Sequence, residues 1–174
     1  MLLFHSFLCY SLNPRQQGFQ WEPWVKTLSI EQSNSLRFSS FPNLIELILH
    51  NNSLYGFIPS HIGNLSNLNK LDLSFNSISG NIPPEVGKLV SLYLLDFSDN
   101  NLGGVLPVSI GNLSNLSFLY LYGNELSGFI PREIGMLEHL STLQLLKNNF
   151  EGTIPASIGN LRSLSPVYFC HLII

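Results

Sequence analysis

At 174 residues the chain is long enough to enclose a core, and 45% of its residues are apolar. Only 11% are charged, against about 25% in an average soluble domain, and the net charge of −3 leaves no basic field for nucleic acid or an anionic membrane. The two cysteines, Cys9 and Cys170, stand at opposite ends and make neither a disulfide framework nor a metal-ligand spacing.

Residues 1–12, MLLFHSFLCYSL, form the longest apolar-leaning run, too short to span a bilayer and interrupted by His5 and Ser6. The run has the apolar middle of a secretory signal peptide but neither a basic start nor a small-residue cleavage site. A signal peptide and an ordinary N-terminus both stay open. No transmembrane segment is read elsewhere, the C-terminal PVYFCHLII being only nine residues. Residues 13–43 read as an irregular segment ending in a half-repeat, with Phe38 and Phe41 at its apolar positions.

From Leu44 the chain repeats every 24 residues. LIELILHNNSLYGFIPSHIGNLSN is followed by units opening at Leu68, Leu92, Leu116 and Leu140, so 44–163 holds five units. A sixth opens at Leu164 and runs to 174 as a truncated repeat. A fixed period of this size marks a solenoid. Each unit opens L-x-x-L-x-L-x-x-N, and apolar residues two apart lie on one face of a strand. Short strands are expected to begin near 46, 70, 94, 118 and 142 and to stack into a parallel sheet.

The ninth position of the unit is Asn52, Asn76, Asn100, Asn124 and Asn148. An amide both donates and accepts, so it can satisfy backbone groups left where the chain turns off a strand. These residues read as a structural ladder, each stacked on its neighbours, rather than as ligands.

The stretch LYGFIPSHIGNL, residues 54–65, suits neither a helix, because of Pro59, nor a strand, because of Gly56 and Gly63. In the repeat frame its first glycine recurs as Gly80, Gly104, Gly128 and Gly152, where positive φ or close approach is expected. Its proline recurs as Pro83, Pro107, Pro131 and Pro155, pre-setting an extended path. The segment behind each proline has apolar positions three apart, which fits a 3₁₀ turn. The whole stretch reads as the convex return of a coil.

These units resemble the plant-type leucine-rich repeat, LxxLxxLxLxxNxLxGxIPxxIGxLxx, over 44–163. With FSSFPNL leading in and IPREIGML within, the chain is similar to the ectodomains of plant leucine-rich-repeat receptor-like kinases. The resemblance implies an α/β-type solenoid: a right-handed superhelix with a concave parallel sheet and convex 3₁₀ or irregular returns. It also implies a non-catalytic module without a cofactor, taking a peptide or protein ligand, with a co-receptor as an optional second partner. The expected location is secreted or cell-surface, in plant signalling or defence. Such proteins usually begin with a cap carrying Trp and a Cys pair; Trp21 and Trp24 are present without a Cys nearby. Leu172 replaces the ladder asparagine and Pro166 falls in the sixth strand. No kinase glycine loop or catalytic-loop motif occurs, so the chain reads as a truncated receptor. Two other readings share the repeat: a soluble inhibitor of a cell-wall hydrolase, and a fragment carrying only the family label of a receptor serine/threonine kinase. The inhibitor would bring full caps and more repeats.

In such a coil the strand residues between the leucines face the concave side. Column five reads Ile48, Asp72, Asp96, Tyr120 and Gln144. Column seven reads His50, Ser74, Ser98, Tyr122 and Leu146, and column eight Asn51, Phe75, Asp99, Gly123 and Lys147. Asp72 and Asp96, on adjacent strands, are expected about 5 Å apart. That spacing would serve a glycosidase pair or half a cation site. A solvated ladder is preferred, since LDLS is ordinary in this repeat and no acid sits in a desolvating pocket.

Phe118, Tyr120 and Tyr122 give the fourth strand an aromatic stripe, with Phe75 two strands away. Exposed rings with no core to join favour a binding contribution over plain cross-strand packing. The binding candidates are therefore Asp72, Phe75, Asp96, Asp99, Phe118, Tyr120, Tyr122 and Lys147. Lys70 and Lys147 are the cations of this face, which disfavours a ligand read through its terminal carboxylate by paired arginines, as in some relatives. The five histidines share no metal-like spacing, and neither cysteine meets a nucleophilic constellation. No catalytic or metal residue is assigned. Sequons stand at Asn51, Asn64, Asn112 and Asn115, and are glycan acceptors if the chain is secreted.

Overall fold

The computed structural model describes residues 18–20, 28–29, 43–165 and 167–168. The run 1–12, both cysteines, Trp21, Trp24, Phe38, Phe41, Pro166 and Leu172 lie outside the described residues. Strands are numbered in chain order. The concave sheet consists of β1 (Gly18–Gln20), β3 (Glu46–Ile48), β5 (Lys70–Asp72), β7 (Leu94–Asp96), β9 (Phe118–Tyr120), β11 (Thr142–Gln144) and β13 (Val167–Tyr168). Every neighbouring pair in it is parallel. The five repeat strands begin where the L-x-x-L-x-L pattern places them, and each shows the same alternation, with the middle residue buried and its neighbours half-buried.

The inside of each coil is filled by seven apolar columns. Column four, for example, is Leu47, Leu71, Leu95, Leu119 and Leu143, and column twenty-two is Leu65, Leu89, Leu113, Leu137 and Leu161; all ten are buried. Each such side chain contributes about 2 kcal/mol on leaving water. No coil can bury these faces alone, so the fold is held by stacking.

The structure corrects the reading of residues 54–65 as a return without a strand. Leu54–Phe57 is β4, and it belongs to a second parallel sheet with β2 (Leu28–Ser29), β6 (Ser77–Asn81), β8 (Asn101–Val105), β10 (Glu125–Phe129) and β12 (Asn149–Glu151). The glycine that argued against a strand sits inside it at positive φ, from 69° at Gly104 to 95° at Gly56. It is tolerated because neighbouring coils supply the pairing, as when Gly80 faces Leu102 across β6 and β8. Pro59 lies beyond the strand, in extended geometry at φ −77° and ψ 144°, and introduces the 3₁₀ helix Ser60–Asn64. The other four repeats end the same way, at Pro84–Lys88, Val108–Asn112, Arg132–Met136 and Ala156–Asn160.

Four of the five ladder asparagines tie two coils together through their backbones rather than through one another. Asn100 Oδ1 accepts from the Ile78 N–H of the preceding coil at 3.0 Å. Its Nδ2 donates to Leu73 O of that coil at 2.9 Å and to its own Phe97 O and Ser98 O at 3.2 and 3.1 Å. Asn76, Asn124 and Asn148 repeat this pattern. Both sheets also continue into the segment read as irregular, but out of step. Gly18 faces Glu46, 28 residues on, whereas Glu46 faces Lys70 at the regular 24. At that junction Asn52 donates to Leu49 and His50, while its buried Oδ1 has no partner.

Candidate recognition surface

Positions three and five of each coil lie on the outer face of the concave sheet. The register puts Asp72 opposite Asp96, and Asp96 opposite Tyr120. Both carboxylates fold back onto their own strand. Asp72 Oδ1 accepts from the Ser74 N–H at 3.0 Å and from Ser74 Oγ at 2.6 Å, and Asp96 Oδ1 takes the same two bonds from Ser98. Ser74 and Ser98 are buried by this clamp, so column seven of coils two and three is not offered to a ligand. A pair held in this way is a turn device, which argues against the glycosidase arrangement.

Burial holds the Asp96 carboxyl above its ordinary value of 3.8, the Ser98 bonds opposing and Asp72 and Asp99 adding to the rise. A raised folded value means stability that is full below the unfolded pKa and lost as pH rises through the folded one. Asp96→Asn keeps an acceptor for Ser98 and removes this loss. Its melting temperature relative to the parent chain should therefore improve between pH 3 and pH 7; a difference independent of pH would contradict the desolvated placement.

The aromatic stripe forms, and it includes a residue that the sequence reasoning missed. Phe118 and Tyr120 stack with centroids 6.3 Å apart and planes 18° from parallel, and Tyr93 meets Phe118 edge to face at 5.1 Å. Tyr93 is 41% exposed. Writing out column two of the repeat would have found it, since it precedes the strand directly beside Phe118. Burial raises the Tyr120 hydroxyl above its usual pKa, with the Asp96 charge second, so this hydroxyl stays protonated. Tyr122 lies just past the strand, half-buried.

Column eight stands apart. Asn51, Phe75, Asp99 and Lys147 have φ between 49° and 54°, and Gly123 has 66°, at the corner where the chain leaves the concave sheet. A Cβ on Gly123 would run into the Asp99 carboxylate, so glycine there makes room for that acid. Phe75, Asp99 and Lys147 thus rim the sheet instead of standing on it. Phe75 is half exposed. Lys70 pairs with Glu46 at 2.9 Å, which cancels the one cation lying in the concave rows beside the acids.

The sequon asparagines Asn51, Asn64, Asn112 and Asn115 are all exposed, and Asn115 Nδ2 donates to Val90 O at 2.9 Å. Among the described residues no three His, Cys, Asp or Glu could hold a metal ion, and no helix is long and apolar enough to cross a membrane.

The family described as Leucine Rich Repeat matches residues 43–65, 67–89, 91–113, 115–137 and 139–161. No curated protein sequence matches the chain significantly. Among solved structures, the Arabidopsis thaliana receptor-kinase ectodomain GASSHO1/SCHENGEN3, in complex with CASPARIAN STRIP INTEGRITY FACTOR 2, is similar at 43% identity and TM-score 0.72, over 80% of this chain and 16% of that one. The plant peptide hormone receptor RGFR1 with RGF2 follows at 32% and 0.76, over 87% and 24%. The Arabidopsis receptor kinase HAESA, solved with the hormone IDA and the co-receptor SERK1, stands at 27% and 0.70, over 82% and 27%. The chain spans between 16% and 27% of each. Its five matched units and this likeness agree with the coil geometry: the chain belongs to the leucine-rich-repeat family, in the form found in plant receptor-kinase ectodomains.

Proposed function

We propose that the chain is a non-catalytic recognition module in plant signalling or defence, binding an extended, cationic or hydroxyl-bearing peptide across the concave strands of the third and fourth repeats, β7 and β9. The supporting observation is the in-register pair of Asp96 and Tyr120, with Phe118 stacked beside the tyrosine. Acids steer the approach of a cationic segment, and rings supply desolvated contact. The plant peptide hormone receptor RGFR1, solved with RGF2, and HAESA, solved with the peptide hormone IDA, support the ligand class. The seven concave strands among the described residues span ~29 Å, the reach of about eight extended residues. Weak binding is expected of this strip alone, with a co-receptor adding surface; HAESA was solved with its peptide hormone IDA and the co-receptor SERK1.

The test uses peptides panned from a random twelve-residue display library on the folded chain. Tyr120→Ala and Tyr122→Ala should each weaken the selected peptide about tenfold, in line with a hot-spot loss above 1 kcal/mol. Glu133→Ala, on the convex helix, should leave the affinity unchanged. Silent tyrosine variants together with loss in Glu133→Ala would overturn the proposal.

A secreted or cell-surface location follows from the same reading. Expression in plant cells should then give a glycosidase-sensitive mobility shift from some of Asn51, Asn64, Asn112 and Asn115, with Asn112 and Asn115 not filled together. An unmodified product retained in the cytosol would count against it.

A further inference from the structure

We propose that Tyr93, Phe118 and Tyr120 form an aromatic shelf that, with Asp96, takes the guanidinium side chain of an arginine in the bound peptide. This inference rests on the concave-face reading above and specifies one subsite within it.

The shelf is held in place by its own contacts. Tyr93 braces Phe118 edge to face at 5.1 Å, and Tyr120 lies nearly parallel to Phe118 at 6.3 Å. Rings so fixed lose little freedom when a ligand settles on them. A cation within about 6 Å of a ring centroid is drawn to the π face, the more so where water is partly excluded. The guanidinium suits this place better than an ammonium, being planar, weakly hydrated and able to stack.

The carboxylate is poised for a single contact. Asp96 Oδ1 is occupied twice by Ser98, whereas Oδ2 carries no hydrogen bond among the described residues. The register puts Asp96 directly across from Tyr120, so one N–H can reach Oδ2 while the plane rests on a ring. No side-chain cation competes nearby, because Lys70 is tied to Glu46 at 2.9 Å. Asp72 and Asp99 deepen the negative potential that already hinders ionisation of Asp96, and the same potential favours an incoming cation. An anionic side chain would be repelled here, and a neutral one would forgo the attraction between opposite charges.

Two probes separate charge from shape: N-acetyl-arginine amide and its neutral isostere N-acetyl-citrulline amide, titrated at millimolar concentration into the isotope-labelled full chain and followed by NMR. The arginine probe should shift the Asp96, Phe118 and Tyr120 signals saturably, at least fivefold more tightly than the citrulline probe. Asp96→Asn, which retains the serine clamp, should abolish that preference, and Tyr93→Leu should weaken the arginine probe through loosening of the shelf. Equal affinity for the two probes, or an arginine preference that survives Asp96→Asn, would overturn the subsite. If these results come while panned peptides still depend on Tyr120 and Tyr122, only the subsite fails; if panned peptides ignore the concave strands, the parent reading fails as well.

Discussion

Asn100→Ala should lower the stability of the chain by about 3 kcal/mol or more, each buried group left without its partner costing about 1–3 kcal/mol. The substitution strands the Ile78 N–H, removes the donor that serves Leu73, Phe97 and Ser98, and leaves a gap at a site only 9% exposed. Two coils lose their tie at once, since the acceptor and one of the donor contacts cross from coil three to coil two. Asn115→Ala is the control. Its amide is exposed and makes one cross-coil bond, to Val90 O, so a loss of about 0.5–1 kcal/mol is expected. Denaturant midpoints of the two variants check the contrast, and equal shifts would sink the ladder account.

Gly111→Ala should cost about 1–3 kcal/mol, towards the upper end, because the obstacle is backbone. A Cβ there would lie 2.6 Å from Glu133 O and 2.8 Å from Glu133 Cβ of the next coil. Coils three and four would have to part along the convex side. Gly63, Gly87 and Gly135 occupy the same position and face the same obstruction. Gly159 is the fifth of this column, and a Cβ on it meets nothing within 4 Å. Gly159→Ala should instead stabilise by about 0.4–1 kcal/mol through the unfolded state, as its backbone is not at positive φ. Thermal melts should thus move in opposite directions for two chemically identical substitutions at one repeat position. Equal losses would show that the glycine is needed for its backbone freedom rather than for the close approach of the next coil.

The repeat lattice is legible in the sequence because each column carries one physical demand five times over. Leucines two apart mark the concave strands, and their starts agree with the structure. The prolines announce the extended entry to each 3₁₀ helix. The second sheet is not legible. Leu54–Phe57 has a glycine in a strand of four residues, and its pairing comes from neighbouring coils, Ser77 facing Tyr55 on one side and Leu28 facing Leu54 on the other, which no local pattern reports. The outward column adds a second demand to the positive φ that already calls for glycine. The Phe129 ring lies where a Cβ of Gly152 would be, and Val105 Cγ1 sits 3.0 Å from that point on Gly128. Within the proposed binding face, Asp96, Phe118 and Tyr120 are where strand alternation puts them. Phe75, Asp99 and Lys147 are not, because alternation ends at the left-handed corner, and a phenylalanine or lysine there gives no warning of positive φ. Tyr93 escaped notice because it precedes the strand and joins the site only through the ring of Phe118 in the next coil.

Hydrogen–deuterium exchange on the chain, with and without a panned peptide, tests the recognition surface most directly. The account predicts slowed exchange in Leu94–Asp96, Phe118–Tyr120 and Thr142–Gln144, the concave strands around the aromatic shelf. The convex helices Val108–Asn112 and Arg132–Met136 should exchange as before. Protection confined to those helices or to the second-sheet strands Asn101–Val105 and Glu125–Phe129 would place the partner on another face and contradict the account.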